Sequence, residues 1–228
     1  MTTELTWLGH GTWLIETGGK KILLDPFLNE NPAAPIGADD VDADYILISH
    51  GHFDHVADAA SIANRCDAQL IAVFEIAQWF AENHGVKQTL GMNLGGGVDL
   101  PFGRVKLTQA WHSSQLPDGS YGGNPAGYLL SLPEGNVYFA CDTGLFADMQ
   151  QIGEAGLRLA VLPIGDMFTM GPDDAVTATQ WLKPQRVAPA HYNTWPPIAQ
   201  DAAAWAEKIL ARTHAMPLTP KPGEKFAL

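Results

Sequence analysis

The sequence YILISHGHFDH, from Tyr45 to His55, joins a short apolar run to three histidines and one carboxylate. The run 45–49 is rich in β-branched and aromatic residues and predicts a buried β-strand. The polar residues therefore lie where that strand ends, which is where open α/β folds place their chemistry. Imidazole combined with carboxylate favours a divalent first-row transition metal over calcium or magnesium. The stretch predicts a metal site at a strand end.

Four ligand-capable side chains crowd a single ion. His50 and His52 can point together at one ion, while Asp54 and His55 lie on the following turn and can reach a second. Such a division requires further ligands from later in the chain.

Three later strand ends offer them. His112 follows the predicted strand 105–111, Asp142 follows 136–141, and His191 follows 186–190. Alone, either histidine is typical of a loop and Asp142 of a turn. A chance surface cluster at 50–55 leaves this shared placement unexplained, so the metal-site interpretation is favoured.

The motif His-x-His-x-Asp-His resembles that of the metallo-β-lactamase-fold hydrolases, and the resemblance covers nearly the whole chain. The stretches 7–11, 24–27, 141–144 and 168–172 are similar to the YtkL-like bacterial and archaeal hydrolases, relatives of ascorbate-6-phosphate lactonase. The resemblance implies a first metal held by His50, His52 and His112, a second held by Asp54, His55 and His191, and a bridge formed by Asp142.

The predicted strands and helices give an α/β (α+β) fold. Strands are expected near 4–8, 12–17, 21–25, 45–49, 69–73, 105–111, 127–132, 136–141, 158–163 and 186–190. Helices are expected near 56–65, 74–84, 144–153, 172–182 and 198–211. This succession, like the resemblance, indicates an αββα sandwich of two mostly antiparallel or mixed sheets, forming a single domain over 1–228. The glycine-rich stretch 91–97 predicts a turn.

The chemistry expected of this site is hydrolysis by a hydroxide that two divalent ions activate. Zn is the expected ion, with Mn, Ni and Fe as alternatives. Asp142 and Asp54 are the predicted catalytic carboxylates, Asp142 as the bridge and Asp54 as a ligand or as the group that orients water. A small-molecule ester, lactone or amide is the expected substrate.

Three alternatives stay open from the sequence. A phosphodiesterase or nuclease-type hydrolase would use the same ligands, and a noncatalytic metal-dependent binding or sensor protein would keep them without turnover. Flavodiiron oxidoreductases share this fold too, but their iron ligands usually include an additional carboxylate in place of a histidine and a flavin domain accompanies them, so oxidoreduction is the disfavoured alternative.

Charge and composition restrict partners and location. The net charge is −12, with 13 basic residues scattered along the chain, which disfavours a nucleic-acid partner and leaves a small-molecule substrate. Without a basic leader or a long apolar segment, no membrane association and a cytoplasmic location are expected.

Cys66 and Cys141 do not make a disulfide framework, and Cys141 is expected to point away from Asp142. A homo-oligomer remains open.

The remaining polar residues divide into candidates and structural residues. His10 follows a short strand and Asp25 precedes Pro26, and each can either line the site or bond the backbone of a turn. His84 suits a helix C-terminus, and His214 has no partner pattern. The segments 113–123, 167–170 and 192–197 are expected to form the pocket wall, with Trp195, Phe168 and Tyr121 as apolar surface.

Overall fold

The structure, a computed structural model, describes residues 2–228, whose strands form two seven-stranded sheets. In chain order the strands are β1 Glu4–Trp7, β2 Trp13–Thr17, β3 Lys20–Leu24, β4 Tyr45–Leu47, β5 Gln69–Val73, β6 Thr89–Met92, β7 Gly97–Leu100, β8 Gly103–Gln109, β9 Ala126–Leu132, β10 Gly135–Phe139, β11 Leu157–Pro163, β12 Arg186–Ala190, β13 Met216–Pro217 and β14 Lys225–Ala227. The helices are α1 Phe53–Val56, α2 Ala59–Cys66, α3 Phe74–His84, α4 Met149–Gly153, α5 Pro172–Leu182 and α6 Ala202–Arg212.

Both sheets repeat one pattern of strand directions. The first has the order β14-β1-β2-β3-β4-β5-β6 and the second β13-β12-β11-β10-β9-β8-β7. In each, four strands pair antiparallel and the rest add in parallel, so the prediction of two mixed sheets is confirmed. Consequently β1, β3 and β4 run in one direction in the first sheet, as do β8, β10 and β12 in the second. Their C-terminal ends meet at one edge of each sheet.

The sheets are held together by large side chains between them. Trp13 of β2 meets Phe139 of β10 edge to face, with 6.0 Å between ring centroids, and both are fully buried. Burying one such side chain stabilises the fold by roughly 1.5–3 kcal/mol. Tyr128 of β9 reaches across the interface, and its hydroxyl donates to the carbonyl oxygens of Ile48 and Ile71 at 2.8 and 3.0 Å.

The ten predicted strands are present, and four further strands were not predicted. These four, β6, β7, β13 and β14, are the edge strands of the two sheets. The observed turn spans 93–96 and is shorter than the predicted 91–97, because residues 91 and 92 belong to β6 and residue 97 to β7.

The helices α3 and α5 have the predicted bounds, whereas α4 and α6 begin later than expected. Helix α4 begins at Met149 because the N–H of Gly144 donates to the carbonyl of Trp111 at 3.0 Å, which holds that segment in a loop. Helix α6 begins after Asp201, whose carboxylate accepts hydrogen bonds from the N–H groups of Ala203 and Ala204. Within residues 2–228, no helix combines the length and apolarity that crossing a bilayer requires.

Candidate metal centre

All seven predicted ligands lie together at the edge where the parallel strands of both sheets end. The segment 50–55 follows β4 and includes the short helix α1, and His112 follows β8. Asp142 and His191 follow β10 and β12. The two sheets therefore each contribute side chains to one cluster.

His50, His52 and His112 form a first donor group. The Nδ1 atom of His52 lies 3.0 Å from His50 Nε2 and 3.2 Å from His112 Nε2. His50 is fully buried, while His52 and His112 are half-buried at the floor of a cleft. Three imidazole nitrogens converging on one point are the donor set that Zn and its neighbours prefer.

Asp54, His55 and His191 form a second donor group. The Oδ2 atom of Asp54 lies 3.8 Å from the Nε2 atoms of both His55 and His191. Both histidines are buried, and Asp54 is mostly so. His10 also belongs to this cluster of mutually close donor atoms.

Asp142 lies between the two donor groups. Its Oδ2 atom is 2.9 Å from His191 Nε2, 3.4 Å from His55 Nε2 and 3.6 Å from His112 Nε2. One carboxylate oxygen thus faces histidines of both groups, in the position that the family resemblance implies for a bridge.

A buried network behind the donors orients two of the imidazoles. Asp25 Oδ2 accepts from His55 Nδ1 at 2.9 Å and from the Ser49 hydroxyl at 2.6 Å, and that hydroxyl oxygen lies 2.9 Å from His50 Nδ1. With their Nδ1 atoms engaged, both His50 and His55 turn Nε2 toward the cluster. This is the outer-shell arrangement that fixes the tautomer of metal-binding histidines.

His10 supports the second group in a similar way. Its Nε2 lies 2.9 Å from Asp54 Oδ2, and its Nδ1 lies 2.8 Å from the Thr194 hydroxyl. Both ring nitrogens of His10 therefore have partners. His10 and Asp25, whose roles the sequence left open, both contact the predicted ligands.

The charges of the two groups differ. Burial lowers the pKa values of His50, His52 and His112, so these imidazoles stay neutral and keep a free lone pair. For Asp142, burial alone would raise the pKa, but His191 and His55 more than offset it and hold the pKa well below its usual range.

In the second group, the pKa values of the two histidines are raised. Burial lowers the pKa of His191, but Asp142 outweighs it and raises the pKa to about 9, and Asp142 acts likewise on His55. Two ionised carboxylates in a buried site require positive charge beside them.

One buried atom tests whether a cation fits. The Nε2 atom of His55 is buried, has no hydrogen-bond partner, and faces Asp142 and Asp54. An unpaired buried nitrogen costs about 1–3 kcal/mol, which ligation of a cation removes. The donor set, the charge and this unpaired atom all fit a divalent transition metal.

The backbone at the site is left-handed at four non-glycine residues. His10, Asp25, Cys141 and His191 have φ values of 53°, 44°, 54° and 51°, and each lies just beyond a strand end. Three of them, His10, Asp25 and His191, place their own side chains in the cluster, and Cys141 directly precedes Asp142. The Cys141 side chain is directed back toward β10, with Sγ 3.7 Å from the Phe139 carbonyl oxygen.

A family model, described as a beta-lactamase superfamily domain, matches residues 4–191 of this sequence. The chain belongs to the beta-lactamase superfamily. It is 46% identical over 228 residues to a UPF0173 metal-dependent hydrolase of Thermus thermophilus, covering 99% of each protein. A UPF0173 metal-dependent hydrolase of Pelotomaculum thermopropionicum is also 46% identical, over 230 residues, covering 99% of this chain and 100% of the relative.

Among solved structures, Igni18, a metallo hydrolase of Ignicoccus hospitalis, superposes with a TM-score of 0.91 at 36% identity, covering 100% of this chain and 99% of Igni18. The predictions of a metallo-β-lactamase-like fold and of a metal-dependent hydrolase are thereby confirmed. The number and identity of the ions, and the ligand role of each of the seven side chains, stay predictions.

In this superfamily member five of the seven donors line an open cleft of about 770 Å³, namely His52, Asp54, His112, Asp142 and His191. The predicted wall segments contribute Ser113, Leu116, Phe168 and Trp195, and Phe53 adds a further aromatic ring. Tyr121 does not line the cleft. It is 67% exposed, and its hydroxyl lies 3.4 Å from Asn124 Oδ1.

The other histidines lie apart from the cluster. His84 ends α3, as its position before Gly85 predicted, and its ring packs 4.3 Å from that of Trp79. His214 is exposed after α6. The functional residues that the sequence did not identify are Ser49 and Thr194, which are recognisable only from their hydrogen bonds to His50 and His10.

Proposed function

We propose that this superfamily member uses two divalent metal ions, Zn being the expected pair, to hydrolyse an ester, lactone or amide bond of a small molecule. The observation that carries the proposal is the position of Asp142. Its Oδ2 atom lies 3.6 Å from a histidine of the first group, His112, and 2.9 Å from one of the second, His191. A carboxylate that bridges two ions must lie close to ligands of both ions.

The donor groups assign the ligands. The first ion would be held by His50, His52 and His112, the second by Asp54, His55 and His191, with Asp142 shared. When bound, such ions lower the pKa of coordinated water from about 15.7 toward 7 and polarise the bond to be cleaved.

The side chains around the ions then have distinct tasks. Asp25 keeps His50 and His55 in the tautomers that present Nε2, and His10 holds Asp54 Oδ2 toward His55 and His191. Burial would raise the pKa of Asp54, but His55 and His10 hold it well below its usual range. Asp54 is therefore suited to binding a cation and orienting water rather than to accepting a proton.

Phosphodiester hydrolysis is the rival reaction. Across residues 2–228, no lysine or arginine lines the cleft, so no basic side chain is there to neutralise the phosphates that flank a scissile phosphodiester. We accordingly expect a small-molecule substrate and no nucleic-acid partner.

The test begins with elemental analysis of the purified protein, where we expect two ions per chain. Hydrolysis of para-nitrophenyl acetate and of bis-para-nitrophenyl phosphate is then compared before and after chelation and metal restoration. We expect metal-dependent cleavage of the ester, lost in His52→Ala and kept in His214→Ala, an exposed histidine outside the site. Faster cleavage of the phosphodiester would support the rival reaction, and full metal content without turnover would support a binding or sensor role.

A further inference from the structure

The wall of the cleft is mostly apolar. Phe53, Leu116, Phe168, Trp195 and Ile198 line it above the floor. Phe53 and Phe168 are 52% and 54% exposed, although large aromatic side chains are usually covered. Exposed apolar surface gathered around a concave site marks a surface that a ligand covers.

The same wall lacks positive charge. Across residues 2–228, none of the 13 lysines and arginines lines the cleft, and its charged carboxylates, Asp54 and Asp142, belong to the donor groups. The uncharged polar side chains Ser113 and Gln115 lie at the wall as well. An anionic group on the substrate, away from the bond that is cleaved, would lose its water without gaining a counter-ion.

We propose that the cleft selects substrates whose group beside the scissile bond is uncharged and apolar, such as an aliphatic or aromatic acyl ester or lactone. This inference rests on the proposed hydrolytic function and specifies its substrate class. It excludes sugar phosphates and dicarboxylic acid derivatives as preferred substrates.

The volume of the cleft is consistent with this class. At about 770 Å³ it falls within the roughly 300–1,000 Å³ of small-molecule sites, and its aromatic rings can contact an acyl chain several carbons long. Each methylene that such a wall buries fully is expected to raise kcat/KM by about two- to fourfold.

The experiment measures kcat/KM of the metal-loaded protein for the para-nitrophenyl esters of acetate, butyrate and hexanoate, and for the adipate monoester. Hexanoate and adipate have equal chain lengths and differ by a terminal carboxylate. We expect kcat/KM to rise from acetate to hexanoate and to fall by about tenfold or more from hexanoate to adipate. Equal rates along the series, or adipate matching hexanoate, would overturn the inference and leave the hydrolase proposal intact.

Binding supplies a readout that does not depend on turnover. Calorimetric titration of the metal-loaded protein with hexanohydroxamic acid and with its adipic counterpart should give tighter binding of the uncharged chain by about tenfold. If no ester is hydrolysed, the proposed function fails, whereas this ratio still decides the preference of the cleft. Equal affinities would count against the inference.

Two variants of one wall residue separate the apolar contact from general damage. Phe168→Ala should lower the hexanoate-to-acetate ratio, and Phe168→Lys should raise the adipate-to-hexanoate ratio because it adds the missing cation. Phe74→Ala is the matched control, since Phe74 is 57% exposed and lies outside the cleft. A Phe74→Ala effect as large as that of Phe168→Ala would refute the assignment.

Discussion

The two donor groups of the centre are built by different means. The first consists of three neutral imidazoles, and its outer members His52 and His112 face the open cleft. The second contains the carboxylate of Asp54 and is supported by Asp25 and His10, and its Asp54 and His191 line the same cleft. Asp25 supports both groups, reaching His50 of the first through Ser49, whereas the carboxylate of Asp54 and its support by His10 belong to the second group alone. This difference predicts that substitutions behind the donors affect the groups unequally.

Removal of the shared carboxylate should have the largest effect, because it disturbs both groups at once. We expect Asp142→Ala to lower kcat/KM by about a thousandfold and to reduce the metal content below two ions per chain. Elemental analysis and ester hydrolysis measure the two effects. Asp148→Ala, which removes an exposed carboxylate from the same segment, is the control and should change neither quantity. Full metal content in Asp142→Ala would contradict the bridge.

The next prediction concerns the hydrogen bonds that Asp25 and Ser49 make to the histidines of the two groups. Asp25→Asn should weaken metal binding at both groups by about 10–100-fold, because Asp25 orients His55 directly and His50 through Ser49. Ser49→Ala should weaken the first group alone. Competition with a chromophoric chelator, which resolves two affinities, measures this.

The control for Asp25→Asn is Asp58→Asn. Asp58 is also buried, but it accepts hydrogen bonds from the backbone N–H groups of Leu28 and Asn29 and from none of the proposed metal ligands. Asp58→Asn should lower the free energy of unfolding without changing the metal affinity of either group. Equal weakening of both groups by Ser49→Ala would show that the network is not divided as described.

Substitution of His10 should have a smaller effect, and one confined to the second group, whereas Ser49→Ala affects only the first. His10→Asn removes the hydrogen bond to Asp54 while keeping a residue that tolerates the left-handed backbone. We expect the affinity of the second group to fall by about tenfold and that of the first to stay unchanged. The same chelator titration tests this, with Thr194→Val as a milder change at the other ring nitrogen. A loss confined to the first group would contradict the assignment.

Tyr128→Phe should leave both groups unchanged and lower only the stability of the fold. Its hydroxyl is buried and donates to Ile48 and Ile71, so its loss should reduce the free energy of unfolding by about 1–3 kcal/mol. Burial raises the pKa of Tyr128 well above its ordinary value, and that of Tyr192 to about 12.

The folded state therefore keeps these phenols protonated when the unfolded chain releases its protons. Their stabilising contribution is full below about pH 10, the unfolded pKa, and is lost as the pH rises toward the folded value. Urea unfolding between neutral and alkaline pH should show a steeper loss in the wild type than in Tyr128→Phe. Parallel curves would exclude Tyr128 as a source of the alkaline loss.

Whether a strand could be predicted from the sequence depended on how deeply it is buried. The inner strands contain apolar runs because both neighbours and the opposite sheet cover them, and each of these strands was predicted. The edge strands β6, β7, β13 and β14 are paired on one side only and are more exposed, so their residues show little apolar pattern.

The site divides in the same way. The seven predicted ligands could be proposed because they are metal-binding residue types at strand ends in the order of a known motif. Ser49 and Thr194 act through single hydrogen bonds to other side chains, and such contacts leave no spacing to detect. His10 lay at a strand end and Asp25 before Pro26, but an equally common turn function explained both positions.

The left-handed backbone at His10, Asp25, Cys141 and His191 would tie the lifetime of the protein to the supply of the proposed metal ions. Each non-glycine residue in this conformation costs roughly 1–2 kcal/mol, so the loops of the centre are less stable than the sheets beneath them. Ions that bind only the folded chain would offset this by mass action. Scarcity of metal would then open these loops first, exposing their backbone to proteases while the two sheets remain folded.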